Sequence, residues 1–207
     1  MGPEPLMDAR VVEAALRCLA QFGVSKTTVE DVASAAGCSR ATLYRYFPGK
    51  RALLEAVVEH ETRRLAAAID AAAANADTLE DLAVGVLLTA GREFAEHDAL
   101  RHVLAVEPEA ILPHFAFERG NRVLGVASVL LAPHLSRFLR PDLAARAGEW
   151  LCRLVFTYFL TPSDYVALDD EASVRRLVRT FVLPGLEDAP LGDSRNLLES
   201  PMAAPAV

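Results

Sequence analysis

The chain has 207 residues, of which 52% are hydrophobic, and its 21 Lys and Arg face 28 Asp and Glu for a formal net charge of −7. That composition can bury one medium domain, or a small one continuous with a larger one, and it excludes a disordered or collagen-like chain. Its three cysteines, Cys18, Cys38 and Cys152, lie far apart without a C-x-x-C pair, which argues against both a disulfide framework and a zinc ribbon.

Taken in order, nearly every segment shows the helical period. Residues 7–22 put Val11, Val12, Ala15, Leu16 and Leu19 on one face and stop near Gly23. Residues 28–50 read TVEDVASAAGCSRATLYRYFPGK. Thr28 is placed to cap a helix with Asp31 at its third position, and Val29, Val32, Ala33 and Ala36 give that helix its apolar face. Gly37 stops it, since glycine enters the left-handed conformation without a side-chain penalty. Ser39 can cap a second short helix over residues 40–47, ended by Pro48 and Gly49. The order is helix, turn, helix.

A long helix is expected from Lys50 through Leu53, Leu54, Val57 and Val58 into the alanine-rich residues 66–76, where high propensity replaces a strong pattern. Further helices are expected over 79–97, 99–106, 108–117, 121–139, 141–160 and 170–181, with prolines marking first turns or breaks. No alternation typical of strands persists and no internal repeat is present. From Pro184 on, four prolines suggest a mobile tail. No basic segment leads into an apolar stretch after Met1, Leu6 stands where a myristoylation motif needs Ser or Thr, and the apolar runs are too short to span a membrane. A cytoplasmic location without membrane contact is expected.

Charge is unevenly distributed. Residues 1–51 hold 7 basic and 5 acidic side chains, whereas residues 52–207 hold 14 and 23. Between Ser39 and Arg51 lie Arg40, Arg45, Lys50 and Arg51 with no acidic residue, interleaved with Tyr44 and Tyr46. A solvated basic face is the plain alternative. A duplex is a dense line of phosphates, however, and affinity for it comes mainly from neutralising them.

The run from Thr27 to Lys50 resembles the DNA-binding segment of the TetR family of transcriptional regulators. The matching pieces are Thr27-Thr28, Val32-Ala33, Ala36-Gly37-Cys38-Ser39, Thr42-Leu43-Tyr44, Phe47 and Lys50. Cys38 departs from the pattern, which more often has a branched apolar residue there, but a small apolar thiol fills the same space. The likeness is specific over roughly residues 8–60; beyond that only helical character and length agree. It implies an all-α protein in which residues 6–65 form a three-helix DNA-binding domain, with the helix-turn-helix at 28–47. A long helix would join it to an effector-binding and dimerisation domain at 66–183, followed by the tail 184–207.

Reach divides the expected DNA contacts. Arg40, near the helix start, suits base-edge readout because its fork can bond guanine O6 and N7 together. Ala41 and Thr42 could meet bases, and Arg45 bases or phosphate. Thr28, Tyr44, Tyr46 and Lys50 suit the backbone. Leu43 and Phe47 belong in the small domain's core.

Residues 141–160 are apolar on most of their circumference, and a helix of that kind must be buried on most of it. Ordinary core packing is one explanation. The other is a two-fold four-helix interface through Trp150, Leu151, Leu154, Tyr158, Val174, Leu177 and Phe181, and the resemblance implies such a homodimer independently. The resemblance also implies a small-molecule site, for which Phe94, His97, Leu104, Ile111, Phe115, Asn121, Leu124 and Phe156 are the candidates. Glu93 with His97, and Asp98 with His102, have a spacing compatible with a metal pair, but a charge pair or a histidine lining a pocket explains it more simply. No G-x-S-x-G, phosphate loop or H-E-x-x-H occurs, so no catalytic residue, metal or cofactor is expected. The expected function is a ligand-responsive regulator, most simply a repressor, that binds a palindromic operator. The alternative is a carrier or sequestering protein of the same fold without a DNA role.

Overall fold

The computed structural model describes residues 5–115 and 117–187, and every regular element among them is helical. α1 (Pro5–Lys26), α2 (Val29–Ala35), α3 (Arg40–Tyr46) and the first turns of α4 (Lys50–Ala74) enclose a small core. Val11, Val12, Val32, Leu43, Phe47, Leu53 and Val57 fill it. α1 breaks at Gly23, whose φ of 77° suits glycine, and the buried Thr27 hydroxyl donates to the Gly23 carbonyl across that kink at 2.6 Å.

A second core lies among α5 (Leu79–Glu96), α8 (Phe117–Leu135), α9 (Pro141–Leu160) and α10 (Glu171–Leu177). Between the two cores run α6 (Asp98–Val106) and α7 (Pro108–Phe115). α6 packs closely along α1, and its Ala99 is buried in the N-terminal core. Side chains at 151, 155, 174, 178 and 182 pack against Leu82, Val86, Leu87 and Phe94 of α5. Two glycines permit close approach. A Cβ on Gly91 would lie 2.5 Å from the Cβ and backbone oxygen of Leu168, and one on Gly148 would lie 3.3 Å from the Cβ of Leu131 and the Cα of Ser128.

Several boundaries differ from expectation: α1 runs past Gly23 to Lys26, and α7 ends at Phe115 instead of 117. α8 begins at Phe117 and ends at Leu135, and the turn after it lets Arg137 donate to the carbonyls of Ala73 (3.3 Å) and Ala76 (2.5 Å), closing the C-terminus of α4. The last helix does not stop at Phe181. It widens into a π-helical stretch, Val178–Val182, and continues as α11 (Leu183–Glu187). Pro184 falls where the helix passes from π to α geometry, and Val182 and Leu186 are buried, so the tail expected from Pro184 begins no earlier than 188. Residues 188–207 lie outside the described residues.

Candidate nucleic-acid interface and effector cavity

α2 and α3 are set by their caps. The Thr28 hydroxyl accepts the Asp31 N–H at 3.2 Å, and the Asp31 carboxylate accepts the Thr28 N–H at 2.9 Å. The Thr28 hydroxyl also donates to that carboxylate, and this bond foremost holds the Asp31 carboxyl below its usual range. Gly37 turns the chain at φ 65°, and Ser39 accepts the Thr42 N–H at 3.0 Å. From outside the motif, Arg10 and Arg17 of α1 donate to the Ala36 and Ala35 carbonyls at 2.7 and 3.2 Å. These satisfy the free end of α2 and fix its angle to α1.

The residues expected at DNA are all at least partly accessible. Thr28, Arg40, Ala41, Tyr44 and Arg45 are exposed, Thr42, Tyr46 and Lys50 half-buried, while Leu43 and Phe47 point into the core. Several are held in local contacts. Arg40 pairs with Glu30 of α2. The Arg45 guanidinium lies over the Tyr46 ring, 5.0 Å from its centroid. Lys50 Nζ donates to the Ser25 carbonyl at 3.0 Å. Arg40, Arg45 and Lys50 are thus each held by a contact within the N-terminal region.

A cavity of about 310 Å³ lies between the two cores. α1 contributes Leu16, Leu19 and Val24, and α4 contributes positions from Leu54 to Ile69. α5, α6 and α7 add Val86, Phe94, Val103 and Ile111, while α8 and α9 add Leu131, Val155 and Phe156. Of the expected ligand contacts, Phe94, His97, Ile111 and Phe156 line it. Leu104 and Leu124 do not, because Leu104 follows the lining residue Val103 onto another face of α6 and Leu124 is packed away at 8% exposure. The side chains of Phe115 and Asn121 lie outside the described residues.

One side of the wall is polar. Arg64 bridges Glu93 (2.6 Å) and Glu61 (3.0 Å), and His97 Nε2 lies 3.2 Å from the same Glu61 oxygen. His97 Nδ1 accepts the Leu100 N–H at 3.1 Å as the cap of α6, which leaves Nε2 to carry the ring proton toward Glu61. The His97 hydrogen bond, and after it Arg64, hold the Glu61 carboxyl below its usual range against the opposing effect of burial. Burial pushes the Cys152 thiol, also in the wall, up to about 12. The spacing of Glu93 and His97 thus reflects a polar cavity wall, and among the described residues no group of three or more His, Cys, Asp or Glu is arranged to hold a metal. Glu61 and Arg64 escaped sequence reading because they come from another helix, Arg64 lying 29 positions before Glu93.

Glu107, at the α6–α7 junction, reaches the DNA end. Its carboxylate accepts from the Ser25 N–H at 2.8 Å and the Ser25 hydroxyl at 2.9 Å, and Ser25 in turn accepts from Lys50. The backbone bond from Ser25 is the main reason the Glu107 carboxyl sits below its usual range.

The expected dimer face needs correction. Leu151 and Val174 are 0% exposed and Leu177 6%, all inside one chain's core, so they have no surface left for a partner. Trp150, Leu154 and Tyr158 form a separate half-buried column at i, i+4 spacing on α9, and Phe181 is 68% exposed. The second apolar face of α9, Cys152 and Phe156, lines the cavity.

A capped, accessible helix-turn-helix continuous through α4 with a hollow helical domain defines a DNA-binding regulator. The family model described as bacterial regulatory proteins, tetR family, matches residues 11–57. The uncharacterized HTH-type transcriptional regulator MT1294 of Mycobacterium tuberculosis is 32% identical over 181 residues, covering 84% of this chain and 83% of that protein. The HTH-type transcriptional regulator BetI of Agrobacterium fabrum is 29% identical over 207 residues, covering 93% and 94%. The crystal structure of the TetR family repressor AlkX from a Dietzia species shares the fold, with a TM-score of 0.65 and 24% identity over 86% of this chain and 96% of that one. This chain belongs to the TetR family, whose members are transcriptional regulators and not enzymes. No helix among the described residues is long and apolar enough to cross a membrane.

Proposed function

We propose that the protein is a cytoplasmic repressor that binds a palindromic operator as a homodimer and is released by an apolar or amphipathic small molecule. The observation that carries this reading is a shared wall: Leu16, Leu19 and Val24 of the DNA-binding end line the same cavity as Phe94 and Phe156. A ligand seated there touches both ends of the molecule at once. The relative AlkX, implicated in biodegradation of n-alkanes, is consistent with an apolar effector.

Residues 6–65 are the DNA-binding unit in this reading, and 66–183 the effector and dimer unit. The column Trp150, Leu154 and Tyr158, extended by Phe181, meets its two-fold copy. Two α3 helices then enter major grooves about 34–36 Å apart, or a multiple of that spacing. Arg40 leaves Glu30 to read a base, with Ala41, Thr42 and Arg45 beside it, and Thr28, Tyr44, Tyr46 and Lys50 hold phosphates. An effector changes operator affinity only by binding the two states differently, typically with about 1–3 kcal/mol of coupling. The α6 helix is suited to that role, because His97, Leu100 and Val103 face the cavity while Glu107 just beyond its end holds Ser25.

A gel-shift assay against the DNA just upstream of the protein's own gene tests the reading. Specific retardation that a cavity ligand reverses is the expected result. Ligand binding without any specific DNA complex would instead favour a carrier or sequestering protein.

A further inference from the structure

The cavity's ionisable groups constrain what can enter it. Among its lining residues these are Glu61, Arg64, Glu93, His97 and the Cys152 thiol. Both glutamates are largely covered, Glu61 at 16% and Glu93 at 28% side-chain exposure, and they share the one guanidinium of Arg64. His97 is already engaged on both ring nitrogens, its Nδ1 accepting from Leu100 and its Nε2 lying 3.2 Å from Glu61. With a neutral thiol at Cys152, the described part of the polar wall sets two carboxylates against one guanidinium and one imidazole. The wall residues on α4 run from Leu54 to Ile69, about 22 Å of helix at about 1.5 Å per residue, so the chamber is elongated.

Among the described lining residues, the one guanidinium a carboxylate could meet is already paired with Glu61 and Glu93. A further carboxylate at Arg64 would sit beside Glu61 and Glu93, whose like charges oppose it. A cationic donor meets the opposite situation, with spare lone pairs on Glu93 and Glu61. Resting on the reading that this cavity is the effector site, we infer that the effector is an elongated apolar molecule with a cationic, hydrogen-bond-donating head, an alkylammonium in its simplest form, and not a fatty acid. Its chain lies against Val86, Leu131 and Phe156, and its head meets Glu93 and Glu61.

The test is calorimetric titration of the full chain at neutral pH with dodecylamine, 1-dodecanol and dodecanoate, each below its micelle concentration. Dodecylamine is expected to bind at least about tenfold more tightly than dodecanoate, with dodecanol between them. Glu93→Gln, which leaves the Glu61–His97 contact in place, is expected to shrink that gap several-fold. Ala110→Trp, filling the chamber from its half-buried α7 wall, is expected to abolish binding of all three, with circular dichroism confirming that both variants remain folded. Dodecanoate binding as tightly as dodecylamine overturns the inference and leaves the cavity as effector site intact. An amine preference that survives Ala110→Trp also overturns it, because the head is then read on the acidic surface. Failure of every probe to bind the unaltered protein removes both the inference and the cavity reading.

Discussion

The DNA-binding end and the hollow domain are built from the same element, yet they place their functional residues by different means. In the first, each boundary is decided within three or four residues: Thr28 and Ser39 cap, Gly37 and Gly49 turn at φ 65° and 102°, and the exposed basic residues follow from the register of one short helix. In the second, the caps are just as local, with Thr78 accepting the Asp81 N–H at 3.0 Å and Asp170 the Ser173 N–H at 2.8 Å. Its working surface, however, draws on seven helices and stretches from Leu16 to Phe156 in sequence. Local chemistry is enough to present a reading head, whereas a chamber exists only where distant helices fail to close.

The sharpest break between packing and function lies along α9. Leu151→Ala removes a side chain that is 0% exposed and is expected to cost about 2–5 kcal/mol in urea unfolding. Leu154→Glu with Tyr158→Glu, one column over, is expected to yield folded monomers in sedimentation with weakened operator binding. If Leu151→Ala changes association and leaves the unfolding midpoint alone, the assignment of these two columns is reversed.

At the DNA end two basic residues should fail differently. Arg40→Ala is expected to cost about 1–3 kcal/mol per half-site and to relax preference at one base position. Lys50→Ala should weaken specific and random DNA alike, flattening log affinity against log salt by about 0.9 per lost contact and hence about 1.8 for a dimer. Glu30→Gln sharpens the first point, because releasing Arg40 from its carboxylate should tighten operator binding. A salt slope unchanged in the Lys50 variant would count against the division of roles.

Besides α4 and the packing of α6 on α1, the two regions meet through Glu107 and Ser25, and Glu107→Ala cuts that contact. Operator binding without ligand should persist, while the ligand's effect on it, typically about 1–3 kcal/mol of coupling, should largely disappear. An unchanged response in a gel-shift titration would show that the effector acts by another route.

The smallest effect is acid sensitivity. Glu61 and Glu107 both sit below the usual glutamate range, so each adds stability that is complete above that range and is lost as pH falls through its own lowered value. Thermal unfolding followed from neutral to acidic pH should show a declining melting temperature only in the acid limb. Glu61→Gln should flatten that decline; an identical profile would mean that the cavity wall contributes nothing to it.

Much of this was legible in the residues. The helix-turn-helix, its caps and the start of α4 follow from turn chemistry and period, which act over one or two turns; the stop expected near Gly23 is instead a kink, and α1 runs on to Lys26. The pairing of α9's faces was not legible, because a helix apolar on most sides states only that it is covered. Leu151 is covered by its own chain, Cys152 and Phe156 face a cavity, and Trp150, Leu154 and Tyr158 remain at the margin. Likewise the sequence places Glu93 and His97 one turn apart, but only the approach of α4 supplies Glu61 and Arg64 and makes the group a cavity wall.

What the sequence determined by itself is the reading head and the all-helical build, since capping, glycine turns and the 3.6-residue period are interactions between near neighbours. Only the tertiary structure decided which apolar faces meet, that Glu107 holds Ser25 from 82 positions away, and that a chamber with a polar patch on one wall remains between the cores. The physical reason is that burial and electrostatic balance belong to whatever surrounds a side chain, and those surroundings arrive only when remote helices pack.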